Sequence, residues 1–246
     1  MMRRYKNVIS HFRRNFTISD LNESHLMLKE NVRAFTNSNI APFAAKWDKN
    51  HEFPKQAVKE MGDLGLFSLM VPEKYNGAGL DYMAYAIAME EISRGCASCG
   101  TILSAHNSLF LNPILFFGNE EQIQKYVVPY MDGESLGCFG LSEPGNGSDA
   151  SAAATTAIAK GDKYIVNGSK CWITTGKEAR GVIFFAQTDK TLKHKGICAF
   201  VIDADTPGYS VGKCEDKLGI RATSTATLTF EDCEIDKSAM LGEKGA

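Results

Sequence analysis

Near residue 135 the spacing of apolar residues changes from three and four to two, so one chain of 246 residues has to hold a helical part and a sheet part. From Ser24 to about Met131 the pattern is helical. Ser24 is placed to cap a run with Leu28, Val32 and Phe35 on one face, and Pro54 stands ahead of Val58, Met61 and Leu64. Asp81 is placed to cap YMAYAIAMEEISR, and Asn119 with Glu120 and Glu121 opens EQIQKYVVPY with acids at the positive end of the helix dipole. Past Gly137 the strand period takes over. Gly161-Asp162 and Asn167-Gly168 read as turns, VIFFAQT and GICAFVID as strands, and TATLTF alternates Ala226, Leu228 and Phe230 against Thr227 and Thr229. The fold class expected is α+β, a helical bundle over 19–134 followed by an antiparallel β-domain over 135–246, with the boundary resting on the change of period.

At the start of the second part stands CFGLSEPGNGSD, residues 138–149. Gly145, Gly147 and Ala150 satisfy the relaxed dinucleotide pattern GxGxxA, whose mechanism needs the glycines between a strand and the helix that takes the pyrophosphate. Here Pro144 precedes the first glycine, and the chain soon enters an expected hairpin, so the context excludes a Rossmann unit. Two readings remain open. The glycines permit close backbone approach and, with Ser148, an anion nest; or they form a glycine-rich turn without a ligand.

The composition, 44% hydrophobic and 23% charged, provides for a sizeable core. A formal charge of -2 gives no electrostatic ground for nucleic acid, and no apolar run reaches the length of a spanning helix. The charge is uneven, because Arg3, Arg4, Lys6, Arg13 and Arg14 precede the first acid, Asp20. That make-up over residues 1–18 is the one expected of a mitochondrial transit peptide, with a solvated basic tail as the alternative. Seven cysteines without a framework fit reduced thiols, and Cys96 and Cys99, which have no second pair or histidine at a metal-site interval, read as structural.

LSEPGNGSD, then KCWITTGKEA at 170–179, then KLGIRATSTATLTFEDCEI at 217–235 resemble the acyl-CoA dehydrogenase family in order and spacing. VPEKYNGAGLDYMAYAIAMEEISRGCAS and NPILFFGNEEQIQKYVVPYMDGE extend the likeness through the helical part, and the wording is most similar to short-chain (butyryl-CoA) members. The resemblance implies FAD held without a Rossmann fold, along Phe139, Gly140, Leu141, Ser142, Gly147 and Ser148, with Ser148 also at the acyl-CoA. It implies a second flavin element in Trp172, Ile173 and Thr174: an indole over a flavin face and a threonine hydroxyl toward flavin N5. The bare residues, without the resemblance, favour Trp172 as a core aromatic and Thr174 as an ordinary strand-end residue. Position 175 is Thr where the family usually has Asn.

The implied reaction removes an α-proton and a β-hydride from an acyl-CoA thioester, giving a trans-2-enoyl-CoA and reduced FAD. It needs a carboxylate base, which the family carries on a C-terminal helical domain; the sequence stops at LGEKGA, about where that domain would begin. Glu143, between Ser142 and Pro144, is expected to orient the turn and not to act as the base, so no catalytic residue and no metal ligand is expected in this chain. Electron-transfer flavoprotein as partner, a homotetramer and the mitochondrial matrix are further family implications. The competing expectation is a shortened, non-catalytic chain that binds flavin weakly or serves only in interactions, and a third reading, an NAD-binding oxidoreductase, would lack visible absorption.

Overall fold

The computed structural model describes residues 21–243, so the expected targeting segment 1–18 lies outside the described residues. The first helix, α1 (Glu23–Phe35), is capped by Asn22 and not by Ser24: Asn22 is extended, and its side chain accepts from the His25 amide at 2.8 Å. One π-helical turn, Thr36–Ile40, joins α1 to α2 (Ala41–Asn50), which ends on a left-handed His51. Helix α3 (Lys55–Asp63) buries Ala57, Val58 and Met61. Asp81 caps α4 (Tyr82–Gly95) by accepting from the Ala84 amide at 2.9 Å, and α1 is pinned to α4 where Arg33 meets the fully buried Glu91 through two hydrogen bonds of 2.6 and 2.9 Å.

Helix α5 (Ala97–Ser104) passes through a π-helical segment, Ala105–Leu111, into α6 (Asn112–Phe117), and α7 (Glu120–Tyr126) opens with a reciprocal capping box between Asn119 and Gln122. Cys96 and Cys99 are buried free thiols at the junction of α4 and α5. Among the described residues no cluster could hold a metal ion, and no helix is long and apolar enough to cross a membrane.

Among the described residues eight strands follow: β1 (Leu136–Gly140), β2 (Thr156–Lys160), β3 (Lys163–Thr174), β4 (Ala179–Gln187), β5 (Ile197–Asp203), β6 (Tyr209–Cys214), β7 (Thr225–Asp236) and β8 (Met240–Leu241). Their order is β6-β7-β3-β2-β4-β5-β8, mostly antiparallel, with β1 lying parallel to β4. Gly161 and Asp162 form the expected turn between β2 and β3. Asn167-Gly168 does not turn. It lies inside β3, where the pairing with β7 slips, and Gly168 has φ +146°. A Cβ there would stand 2.5 to 2.8 Å from Thr155, so the glycine records a bulge and a close approach of two backbones.

The period of two sorts the core. On β4, Ile183 faces the cluster that contains the helical Phe67, Ile102 and Phe110, whereas Val182 and Phe184 join Phe200, Leu228 and Phe230 in a second cluster. Phe110 is the main joint between helices and sheet, because its ring occupies the space that a Cβ at Gly137 or Gly181 would need, 2.0 and 2.5 Å away. Beside it the buried His106 takes the Gly137 amide on Nδ1 at 3.1 Å and, carrying its proton on Nε2, donates to the Tyr130 carbonyl at 2.8 Å.

Candidate functional site

Strand β1 leaves the sheet at Gly140 and becomes the loop 141–155. Phe139 is half-buried against Phe185, ring centroids 5.2 Å apart, and Gly140 lies on the aliphatic stem of Lys170, whose Cγ a Cβ would meet at 3.1 Å. The Ser142 carbonyl accepts from the Cys171 amide at 2.9 Å, which ties the loop's first turn to β3. Glu143 and Asn146 then pair across Pro144 and Gly145, N–H to carbonyl in both directions at 3.2 and 3.1 Å, with the Glu143 amide also donating to Asn146 Oδ1. Gly145 and Gly147 face open space, with no atom within 4 Å of where a Cβ would stand. Ser148 is exposed at the end of this turn.

Beneath the loop stands a buried ion pair. Lys170 has no solvent exposure, and its Nζ lies 2.5 Å from Glu143 Oε1 and 3.4 Å from the Leu141 carbonyl. The Glu143 carboxylate also accepts from the amides of Ala154 at 2.6 Å and Thr155 at 3.1 Å. Burial by itself would raise the Glu143 carboxyl, but the Lys170 ammonium and the two amides outweigh it and hold the group below the usual carboxylate range; burial draws the Lys170 ammonium down against the opposing pull of Glu143. A carboxylate so engaged orients the turn.

The second candidate element follows from a bulge. Lys170 pairs with Leu228 and Ile173 with Ala226, so Cys171 and Trp172 together oppose a single residue of β7. Trp172 takes φ +62° and is 64% exposed. A large aromatic held outside the core on a left-handed backbone is strained, and the hydrogen bonds and pairing on either side hold it there. Ile173 faces the core and is buried. Thr174 borders a cleft of about 390 Å³ between β3 and the helices, lined by Met89, Ala97, Gly100, Ala105 and Leu109 among others, and no carboxylate contributes to that lining.

The structure thus brings Phe139–Ser142 and Cys171–Trp172 together, sets Thr174 at the cleft, and leaves Gly147 and Ser148 on the open side of the turn. The hydroxyls of Ser142, Ser148 and Thr174 take no partner among the described residues, and neither do the amides of Ser142, Gly147 and Ser148. The Asn146 Nδ2 is a buried donor without an acceptor. Donors of this kind beside an exposed indole fit a flat, anionic, aromatic group. Sequence reasoning missed Lys170, Asn146 and Thr155. Lys170 had a legible signal, since it shares the inward parity of Tyr164 and Val166 on β3.

Thr175 also has a left-handed backbone, φ +55°, and is buried, with its hydroxyl donating to the Thr174 carbonyl at 2.7 Å. A β-branched residue there costs about 1 kcal/mol or more, whereas Asn tolerates the conformation and can donate to the same carbonyl. Thr175→Asn should therefore raise stability by about 1 kcal/mol and the melting temperature by roughly 2–4 °C. Calorimetry of the two chains checks this, and a lower melting temperature would count against strain at 175.

A helical bundle against a mostly antiparallel sheet, with a glycine-opened loop at the end of β1 and a bulged Trp172-Ile173-Thr174 beside it, places the chain in the acyl-CoA dehydrogenase family. The family's N-terminal domain matches residues 22–134 and its middle domain residues 138–233. The mitochondrial short-chain specific acyl-CoA dehydrogenase of Bos taurus is 57% identical over 226 residues, 92% of this chain and 55% of its own length. Butyryl-CoA dehydrogenase from Megasphaera elsdenii superposes with a TM-score of 0.88 at 38% identity, over 92% of this chain and 60% of the other. An acyl-CoA dehydrogenase from Bacillus anthracis, complexed with FAD, superposes with a TM-score of 0.85 at 38% identity, over 94% of this chain and 39% of the other. The chain spans about half the length of the curated relatives it matches.

Proposed function

We propose that this chain supplies the flavin-binding surroundings of an FAD-dependent acyl-CoA dehydrogenase that converts a short-chain acyl-CoA to the trans-2-enoyl-CoA. The observation that carries the reading is the pairing of the open Ser142–Ser148 turn with the bulge that holds Trp172 exposed. The bovine relative at 57% identity, named short-chain specific and mitochondrial, supports the substrate class and a mitochondrial location, for which the matrix and targeting by residues 1–18 are the finer inferences. Electron-transfer flavoprotein, as the class of partner that collects the electrons, belongs to the same reading. The domain boundary is placed near residue 135.

Bound FAD would supply the hydride acceptor. The residues of this chain would hold and shield it: amides of Ser142, Gly147 and Ser148 would donate to its oxygens, the indole of Trp172 would exclude water, and the Thr174 hydroxyl would donate on the side of the cleft. The apolar cleft beside Thr174 suits a short acyl chain, which would place its α- and β-carbons next to the flavin edge. Because that cleft has no carboxylate and Glu143 is committed to Lys170, Ala154 and Thr155, a second reading also has support, in which this chain by itself binds flavin without catalysing.

Titration of the 246-residue chain with FAD tests the assignment. Ser148→Ala and Thr174→Val each remove one hydrogen bond, worth about 0.5–1.5 kcal/mol net, so each should weaken FAD binding roughly two- to tenfold with little change in melting temperature. Wild-type affinity in both variants would remove these residues from the site.

A further inference from the structure

We propose that the buried Glu143–Lys170 pair is a positioning device that sets the two candidate flavin elements, Phe139–Ser148 and Trp172–Thr174, at their working separation. This rests on the FAD reading of the site. The two elements are remote in sequence, and the contacts that join them converge on this pair. From β3, the Lys170 ammonium reaches the Leu141 carbonyl and the Glu143 carboxylate, while the next residue donates its amide to the Ser142 carbonyl. From the loop, Glu143 reaches forward to the amides of Ala154 and Thr155, where the chain enters β2 alongside β3 and Thr155 fills the space left at Gly168.

One carboxylate thus holds both ends of a loop whose middle, Pro144 to Asp149, is largely exposed and is braced by local bonds, the Glu143–Asn146 bridge and the turn in which Asp149 accepts from Ser151 and Ala152. The bulge that turns Trp172 outward begins one residue after Lys170. The aliphatic stem of Lys170 also carries Gly140, so the same side chain sets the height of the β1 end. Neither charged group faces the open side of the turn, and both are within the protein: Lys170 has no exposure and Glu143 only 4%. Two charges withdrawn from water are costly to keep, and a neutral pair would hold the fold as well. What a neutral pair lacks is reach: an ammonium bridging a carbonyl and a carboxylate, which in turn spans two amides.

The test compares Glu143→Gln, Lys170→Met and the double variant in the full 246-residue chain, each titrated with FAD and melted. Each single change leaves one buried group without its partner and should lower the melting temperature and weaken FAD binding at least tenfold. The double change leaves no lone charge, so the melting temperature should return toward wild type while FAD binding stays at least tenfold weaker, and the visible circular dichroism of flavin bound at saturation should differ from wild type. Recovery of affinity together with melting temperature would show a merely structural pair and overturn the proposal, as would single variants that fold and bind FAD within twofold of wild type. If a single variant fails to fold, the double variant decides. A wild-type chain that shows no saturable FAD binding would overturn the flavin reading and this proposal with it, whereas intact wild-type binding with unchanged variants would remove the positioning role alone.

Discussion

Saturated with FAD and given an electron acceptor, the 246-residue chain should form enoyl-CoA from butyryl-CoA at least about 10²-fold more slowly than a relative of full length. Removing an α-proton needs a base within hydrogen-bond reach of the α-carbon, and the cleft beside Thr174 offers Ser93, Thr101, Ser104 and apolar side chains, with no carboxylate. Glu143 is nearest in sequence to the open turn, but its oxygens are taken by Lys170, Ala154 and Thr155, and it sits below the usual carboxylate range, a poor base by both position and basicity. General-base catalysis contributes about 10²–10⁴-fold, and an uncovered site that admits water adds to the loss. Anaerobic single-turnover measurement of enoyl-CoA separates the lack of a base from slow reoxidation. Formation at a rate near that of a full-length relative would mean that a base is present among the residues of this chain.

The parts of the fold legible in the sequence were those in which one residue acts locally. Asp81 and Asn119 cap the helices that follow them because a cap needs only its own side chain and an amide three residues on. The alternation of TATLTF matches its burial for the same reason: inward and outward are properties of the strand itself. Where a remote partner decides, the local signal misleads. Asn167-Gly168 has the composition of a tight turn, yet Asn167 exchanges hydrogen bonds with Asp232 of β7 and Gly168 makes room for Thr155, so the strand runs on through a bulge. Ser24 lost the cap to Asn22 by two residues, which lies within what capping composition can resolve, since both side chains can accept from an early amide.

In the candidate site the glycines of the loop were legible as open backbone, because nothing but their own missing side chains is involved. The exposure of Trp172 was not, as it follows from a register slip against β7 that no window of β3 contains. Lys170 shows the same limit from the other side: the strand period directs it inward, but only Glu143, 27 residues away, makes that tolerable.

Acidification from pH 7.5 to 4.5 should cost the folded chain up to about 3 kcal/mol through His106 alone, a fall of roughly 10 °C in melting temperature. His106 is buried, and burial lowers its pKa from 6.5 to about 4, against the opposing effects of the Tyr130 carbonyl and Asp132. Its folded value is therefore depressed, so between about 6.5 and 4 the unfolded chain binds the extra proton; stability is complete above pH 6.5 and falls as pH drops toward 4. The geometry gives the same sign. Nδ1 accepts from the Gly137 amide, so protonation there sets two N–H groups against each other, among the rings of Phe67, Phe110 and Tyr130 and at the joint between helices and sheet. The carboxyls of Asp81, Glu91 and Glu143 are held below their usual range and so lose their contributions at lower pH, while Cys96, drawn down to about 6 by its hydrogen bond with Cys99, loses its own mainly above pH 6, so between about pH 6 and 4.5 the histidine is the main shifted group among the described residues. His106→Gln removes the titrating ring. It should melt lower than wild type at pH 7.5, because it gives up packing and the acceptor for Gly137, yet lose far less between pH 6.5 and 4.5. Urea unfolding of both chains across that range measures the two slopes, and equal slopes would place the acid sensitivity elsewhere.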